Sequence, residues 1–169
     1  SVMKKKIYNE NHKGEVRRLK AEDYVNDSDF CIEIIERQIE AQKVNIKGAP
    51  IIVAGGYGMG SKENFALLHE LASLIGGEVG ATRAAVDAGF TENERQIGQT
   101  GLTVRPKLYI ACGISGAVQH RAGMDQSSMI ISINTDPNAP INSIADYTII
   151  GDAMDVLPKM IKSYKSNML

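Results

Sequence analysis

Five short polar or glycine-rich segments carry the residues of this sequence that could do chemistry. The first, Gly55-Gly56-Tyr57-Gly58-Met59-Gly60-Ser61, suits a loop whose backbone approaches a ligand and offers N–H groups to a phosphate or carboxylate. Gly56 and Gly58 fit the start of a G-x-G-x-x-G dinucleotide fingerprint, but the third position is Ser61. The order Ser61-Lys62 also reverses the Lys-Ser/Thr that ends a P-loop, so no NTPase chemistry follows. A second segment, Gln96-Ile97-Gly98-Gln99-Thr100-Gly101, reads by its local physics as a surface loop. A third, Gly113-Ile114-Ser115-Gly116-Ala117-Val118-Gln119-His120, places the N–H groups of Ser115–Ala117 at a helix mouth, with His120 about one turn in. Ser115 near His120 suggests a hydrolase, but G-x-S-G is not the G-x-S-x-G elbow and the His is too close in sequence. The fourth segment, Asn134–Pro140, offers the paired donor and acceptor of Asn134. The fifth, Gly151-Asp152, offers a carboxylate able to accept from ribose hydroxyls. Taken singly, Asn134 and Asp152 serve equally as turn or cap residues. The functional reading rests on the first, third, fourth and fifth segments converging on one edge with Thr82-Arg83.

Alternating elements bring them together. Pro50-Ile51-Ile52-Val53-Ala54 is a short apolar run without alternation, as in a parallel strand buried on both faces. Ser61 reads as an N-cap, and Phe65, Leu68, Leu71, Ala72 and Ile75 follow at helical spacing until Gly76-Gly77 stops the helix. Strands are expected at Glu78–Thr82, Lys107–Cys112, Ser128–Ile133 and Ala145–Ile150, with a short helix over Gly116–Met124. A last helix is expected with Asp155 as its cap, Pro158 in its first turn, and Leu157, Met160, Ile161, Tyr164 and Met168 on its apolar face. Two weaker strands are read at Val16–Leu19 and Phe30–Ile35. The pattern predicts an α/β domain with a mostly parallel sheet and helices on both faces. Its ligand edge, beyond the carboxyl ends of the strands, collects Gly55–Ser61, Thr82-Arg83, Gly113–His120, Asn134–Pro140 and Gly151-Asp152.

Composition narrows the function. The chain of 169 residues is 43% hydrophobic and 23% charged, which suits one globular domain rather than a disordered or fibrous chain. Its net charge of −1 argues against a nucleic-acid binder. Residues 1–20 hold seven Lys/Arg and two Glu, so a basic arm over 1–27 precedes a domain at 28–169. Cys31 and Cys112 sit far apart in apolar runs and read as buried thiols, with no metal-binding spacing to His12, His69 or His120. No apolar stretch reaches the ~20 residues of a membrane span, and the cytoplasm is the expected location.

Read in order, Val53–Gly56, Glu63-Asn64-Phe65, Gly80–Phe90 (GATRAAVDAGF), Gln96–Gly101 (QIGQTG), Pro106–Met124 (PKLYIACGISGAVQHRAGM), Asn134–Ile141 (NTDPNAPI) and Ala145–Asp152 (ADYTIIGD) form a specific combination. It resembles the C-terminal, FAD-binding domain of the electron-transfer flavoprotein alpha subunit. The resemblance covers about Lys47 to Pro158 in family order. It implies a Rossmann-like domain holding FAD extended along the sheet edge. Thr82 and Arg83 match positions beside the flavin. Ile97, Gly98, Gln99 and Thr100 match the segment along the isoalloxazine, with the Thr100 hydroxyl toward N5. Ser115, Gly116, Ala117, Val118, Gln119 and His120 match the segment serving the pyrimidine edge and the phosphates, with His120 near the C2 carbonyl. Asn134, Asp152 and Ala153 match positions toward the adenosine half.

The resemblance implies an electron carrier between flavoprotein dehydrogenases and an acceptor, rather than an enzyme with a substrate of its own. It implies an electron-transfer flavoprotein beta subunit as partner, no nucleic acid and no membrane span. An isolated domain of this kind is expected to self-associate. The physics agrees: Arg83, His120 and a helix N-terminus beside N1 and the C2 carbonyl would favour the negative charge that reduction puts there. The chain departs from the family pattern at Tyr57, where Arg is usual, at Thr148 for Gly and at Asn142 for Phe. Residues 1–46 are too short for the family's N-terminal domain, so the chain reads as a fragment or a stand-alone relative. The competing function is a nucleotide-binding or interaction module without redox chemistry.

Overall fold

Ile51-Ile52-Val53-Ala54-Gly55 forms β1, and its alternation decides the layers. Val53 points into one buried cluster, whereas Ile52 and Ala54 point into another. A strand with apolar groups on both sides needs cover on both sides, which a parallel sheet with crossovers supplies. The computed structural model describes residues 14–20, 23–24 and 45–167. The chain divides into two units, Ser1–Ala41 and Gln42–Leu169. Residues 14–20 are exposed and form no strand, contrary to the expectation for Val16–Leu19. Arg17 and Arg18 sit side by side there, so one charge would fall on each face of a strand and neither could pack. The strand expected at Phe30–Ile35 lies outside the described residues.

In the second unit β1 is followed by α1 (Phe65–Ile75), β2 (Glu78–Ala81), α2 (Arg83–Asp87), β3 (Leu108–Cys112), α3 (Val118–Arg121), β4 (Ile130–Asn134), β5 (Tyr147–Ile150) and α4 (Ala153–Asn167). All five strands run parallel, in the order β2-β1-β3-β4-β5. The order reverses between β1 and β3, the kind of switch point at which ligands bind in open α/β sheets. Phe65, Leu68 and Leu71 of α1 and Leu157 and Ile161 of α4 pack on one face with Val53, Ile110 and Ile133. Ile97, Val104, Ile114, Met124 and Ile141 cover the other face over Ile52, Tyr109 and Ala111. That second cover is mostly irregular chain, and α3 joins it through His120. The edge strand β5 leaves all four of its residues exposed.

Three boundaries differ from expectation. The last helix begins at Ala153, not after Asp155. Asp152 is the cap: its Oδ1 accepts from Met154 N at 2.8 Å and its carbonyl accepts from Asp155 and Val156. Pro158 therefore lies inside α4, where it removes the bond to the Met154 carbonyl. Helix α1 starts at Phe65; Ser61 Oγ accepts from Asn64 N at 3.4 Å and shapes only the turn before it. The helix expected over Gly116–Met124 shrinks to Val118–Arg121, because Gly116 has φ +88° and Ala117 is extended.

The turns after β1 and β3 touch through glycines. Gly56 N donates to the Cys112 carbonyl at 2.9 Å and Gly58 N to the Gly113 carbonyl at 3.1 Å. A Cβ on Gly56 would lie 2.1 Å from Gly113 O, and one on Gly113 would lie 2.8 Å from Gly58 C. The expected phosphate cradle of the first loop is thus largely consumed by loop-to-loop packing. Gly76 provides the contrast: its φ is positive, +70°, and nothing lies within 4 Å of its Cβ position. Gly56→Ala should destabilise the domain by about 3 kcal/mol or more through overpacking. Gly76→Ala should cost only the left-handed backbone penalty of roughly 1–2 kcal/mol. Urea unfolding of both variants checks this ordering, and equal losses would contradict it.

Candidate functional site

A cleft of about 960 Å³ runs along the carboxyl edge of the sheet, near the top of the ~300–1,000 Å³ range of small-molecule sites. Four of the five segments singled out in the sequence meet there, and Gly151-Asp152 completes the far end. In sheet order, its wall takes Thr82, Arg83 and Asp87 from the end of β2, then Tyr57 from β1. Ser115, Ala117, Gln119 and His120 follow from β3, and Asn134, Asp136 and Asp152 from β4 and β5. Ile97, Gly98, Gln99, Thr100 and Ala153 also line it. Two of the expected site residues do not. Gly116 presses on Ile141, where a Cβ would lie 2.4 Å from its backbone nitrogen. Val118 points outward and is 75% exposed.

The middle of the cleft is rich in unused donors. Ser115 N, Gly116 N, Ala117 N, Val118 N and Gln119 N make no hydrogen bond to any described residue; the next, His120 N, donates to the Ala117 carbonyl. Open N–H groups leading into the first turn of α3 favour an anion. The Gln96–Gly101 segment is not the surface loop that its polarity suggested. Ile97 N donates to the Ala81 carbonyl at 2.8 Å and Gln99 N to the Gln119 carbonyl at 2.7 Å, while Gln96, Ile97 and Gly98 are buried. Ile97 fills the space left by Gly80, where a Cβ would lie 2.3 Å from its Cδ1. Thr100 Oγ1 accepts from Gln96 Nε2 at 3.0 Å, leaving its own O–H to donate.

The polar side chains are more committed than the sequence suggested. Arg83 Nε donates to Asp87 Oδ2 at 3.2 Å, an i,i+4 pair in which both side chains are largely exposed. Asn134 spends both ends of its amide: Nδ2 donates to the Ile114 carbonyl at 2.7 Å and Oδ1 accepts from Asp136 N at 3.0 Å. Asn142, singled out only as a departure, accepts from Ser132 Oγ at 2.8 Å and donates to the Asp136 and Pro137 carbonyls. It holds the loop after β4 in place. Asp152 keeps one carboxylate oxygen beyond its cap bond. Arg83 is the one cation among the lining residues, against Asp87, Asp136 and Asp152. Cys112 lies fully buried under this edge, its thiol pushed up to about 12 by burial, so it stays neutral.

His120 is the sharpest departure. It is 6% exposed, with Nδ1 3.0 Å from the Ile97 carbonyl and Nε2 3.0 Å from the Tyr109 hydroxyl. A carbonyl only accepts, so Nδ1 carries the proton and Nε2 accepts from Tyr109. Burial holds the His120 pKa below its usual value, against the opposing pull of the Ile97 carbonyl. Burial also raises the Tyr109 hydroxyl well above its usual range, so it remains a donor. The ring is neutral, and neither nitrogen is left for a ligand as it stands. The expectation of a cationic or donating His120 came from the residue type; Tyr109, missed because it reads as core strand, decides otherwise. A depressed histidine pKa means that the unfolded chain binds the proton first as pH falls. Stability is therefore full above about pH 6.5, the unfolded value, and declines below it. His120→Asn, which cannot titrate, should flatten this decline relative to the parent chain in melts from pH 7.5 to 5. An unchanged slope would contradict the neutral, buried imidazole.

Comparison with known proteins places this geometry in a family. The family described as "Electron transfer flavoprotein FAD-binding domain" matches residues 45–125. The electron transfer flavoprotein subunit alpha of Thermoanaerobacterium thermosaccharolyticum is 49% identical over 165 residues, 97% of this chain and 49% of the relative. Protein FixB of Azotobacter vinelandii is 56% identical over 126 residues, 75% of this chain and 35% of the relative. The mitochondrial alpha subunit of Dictyostelium discoideum is 44% identical over 156 residues, 85% of this chain and 44% of the relative. The chain spans about half the length, or less, of these curated relatives. With its all-parallel sheet and the cleft at the carboxyl edge, the chain belongs to the electron transfer flavoprotein alpha family, through its FAD-binding domain.

Proposed function

We propose that this chain is the FAD-carrying part of an electron carrier, which passes electrons between flavoprotein dehydrogenases and an acceptor together with a beta subunit. The open N–H groups of Ser115, Ala117 and Gln119 on the cleft wall carry this reading. The residues present fit the group. Those donors suit a pyrophosphate, and the free oxygen of Asp152 suits ribose hydroxyls at one end. The buried Ile97–Gly98 wall suits a planar ring at the other. FAD, when bound, supplies one- and two-electron redox chemistry. The chain's own groups bind, orient and tune it. Backbone donors at Ser115, Ala117 and Gln119 would take the phosphate charge without any lysine or arginine. Arg83, with Thr82 and Thr100, would face the ring with the site's one positive charge, partly balanced by Asp87. His120 would form the wall and hold Ile97 in register instead of donating to the cofactor.

The competing module without redox function gains nothing from a cleft of this length. The exposed edge of β5, with Tyr147 61% and Ile150 53% exposed, supports the beta subunit as a partner and self-association of the chain when alone. A cytoplasmic location accompanies this reading, supported by the buried, free Cys112 thiol.

Two measurements test the proposal. Incubated with FAD and desalted, the chain should keep flavin absorbance near one FAD per chain and keep much less with FMN, which lacks the adenosine half. Equal retention of both would sink the extended placement. Arg83→Ala should lower the flavin midpoint potential and Asp87→Asn should raise it, each by tens of mV. A bond to a charged group is worth roughly 1.5–3 kcal/mol, and exposure reduces it. Shifts of the same sign in a reductive titration would contradict the placement of this pair beside the ring.

A further inference from the structure

Tyr57 is a large aromatic residue left 65% exposed on the cleft wall. Its neighbours in sequence, Gly56 and Gly58, have no room for side chains against Gly113, so the loop-to-loop joint fixes the backbone from which Tyr57 projects. The ring is fixed as well. It stacks on Phe90 with centroids 5.8 Å apart and planes 20° apart. Phe90 in turn leans on Phe65, at 6.0 Å and 57°, and Phe65 is buried in the core. A chain of three aromatic rings thus runs from the core to the cleft. One face of Tyr57 is taken by Phe90. Its high exposure leaves the remainder of the ring open, beside the end of the cleft that Thr82 and Arg83 line.

A neutral ring in a fixed orientation has little to offer a phosphate, but it is ready to stack on a planar heterocycle. Hydrogen bonds and helix caps account for Thr82, Arg83, Thr100, His120, Asn134 and Asp152 at this edge; no packing requirement accounts for the open part of Tyr57. We propose that Tyr57 is the stacking wall for the isoalloxazine ring of FAD, pre-set by Phe90. The proposal rests on the cofactor reading given above. It assigns this residue to the ring of the ligand, and not to its phosphates or its adenosine half. It makes Tyr57 a positioning residue whose effect depends on the ring and is indifferent to the rest of the molecule.

FAD and ADP separate these parts, because ADP has the phosphates and adenosine without the flavin. Their dissociation constants are measured by calorimetry for the parent chain, Tyr57→Phe and Tyr57→Leu. Aromatic stacking on a heterocycle corresponds to about a tenfold change in affinity. Tyr57→Leu should weaken FAD about tenfold, leave ADP unchanged and raise the fluorescence of bound flavin. Tyr57→Phe should retain FAD affinity. FAD affinity unchanged in Tyr57→Leu overturns the inference and leaves the cofactor reading standing. Equal weakening of FAD and ADP assigns the effect to the shared part and also overturns it. A loss in Tyr57→Phe as large as in Tyr57→Leu would assign it to the hydroxyl. A parent chain that binds ADP but not FAD overturns the cofactor reading, and this inference with it.

Discussion

The contact between two glycine turns, Gly56–Gly58 after β1 and Gly113 after β3, is the constraint from which the rest of the cleft follows. These strands are hydrogen-bonded neighbours at the point where the strand order reverses, so their chains leave the sheet in different directions. Backbone meets backbone there, with Gly56 N on the Cys112 carbonyl and Gly58 N on the Gly113 carbonyl. No side chain fits between them. With the two turns locked, the chain after Gly113 is carried outward as Ser115–Gln119, and its N–H groups find no acceptor inside the fold. The same lock aims Tyr57 at the cleft. Glycines that look like a ligand cradle therefore act one step earlier, by placing the segments that face the ligand.

A second constraint couples the walls. His120, neutral and buried, joins α3 to the Ile97 carbonyl and accepts from Tyr109 on β3. Gln99 N bonds the Gln119 carbonyl alongside it. The segment beside β2 and the donor run after β3 are thus one unit, tied across the sheet face that irregular chain covers. Fully satisfied buried polar groups of this kind rigidify a site, whereas an imidazolium in the same place would leave a buried charge without a carboxylate. The fold supplies order here through hydrogen bonds, since no long helix among the described residues covers this face.

The charge pattern of the cleft is modest. One arginine faces three carboxylates among the lining residues, and the arginine is already paired. Anion binding must then come from backbone dipoles, which carry no net charge and are screened less by salt than an exposed lysine. In the proposed reading, selectivity among ligands would rest on the length of the cleft and on the chemistry at its two ends: a ring surface at Tyr57 and Ile97, and a carboxylate at Asp152.

The sequence by itself determined the parallel sheet and the location of the site. Unbroken apolar runs such as Ile51–Ala54 and Leu108–Cys112 demand burial on both faces, and the segments after Gly55, Cys112, Asn134 and Ile150 had to fall at a strand's carboxyl end. The motif order from Gly80 to Asp152 carried the family in the same way. The Arg83–Asp87 pair is legible too, as an i,i+4 spacing. What each polar group does was decided by tertiary structure. His120 was read as a donor because its neighbours in sequence say nothing of Tyr109 and Ile97, eleven and twenty-three residues away. Gln96–Gly98 looked like surface because polarity along the chain does not reveal an irregular segment laid over a sheet. Asn134 and Asp152 turned out to spend their bonds on loop and cap. A side chain's partners are set by which distant backbone groups come within about 3 Å, and only the folded chain fixes that.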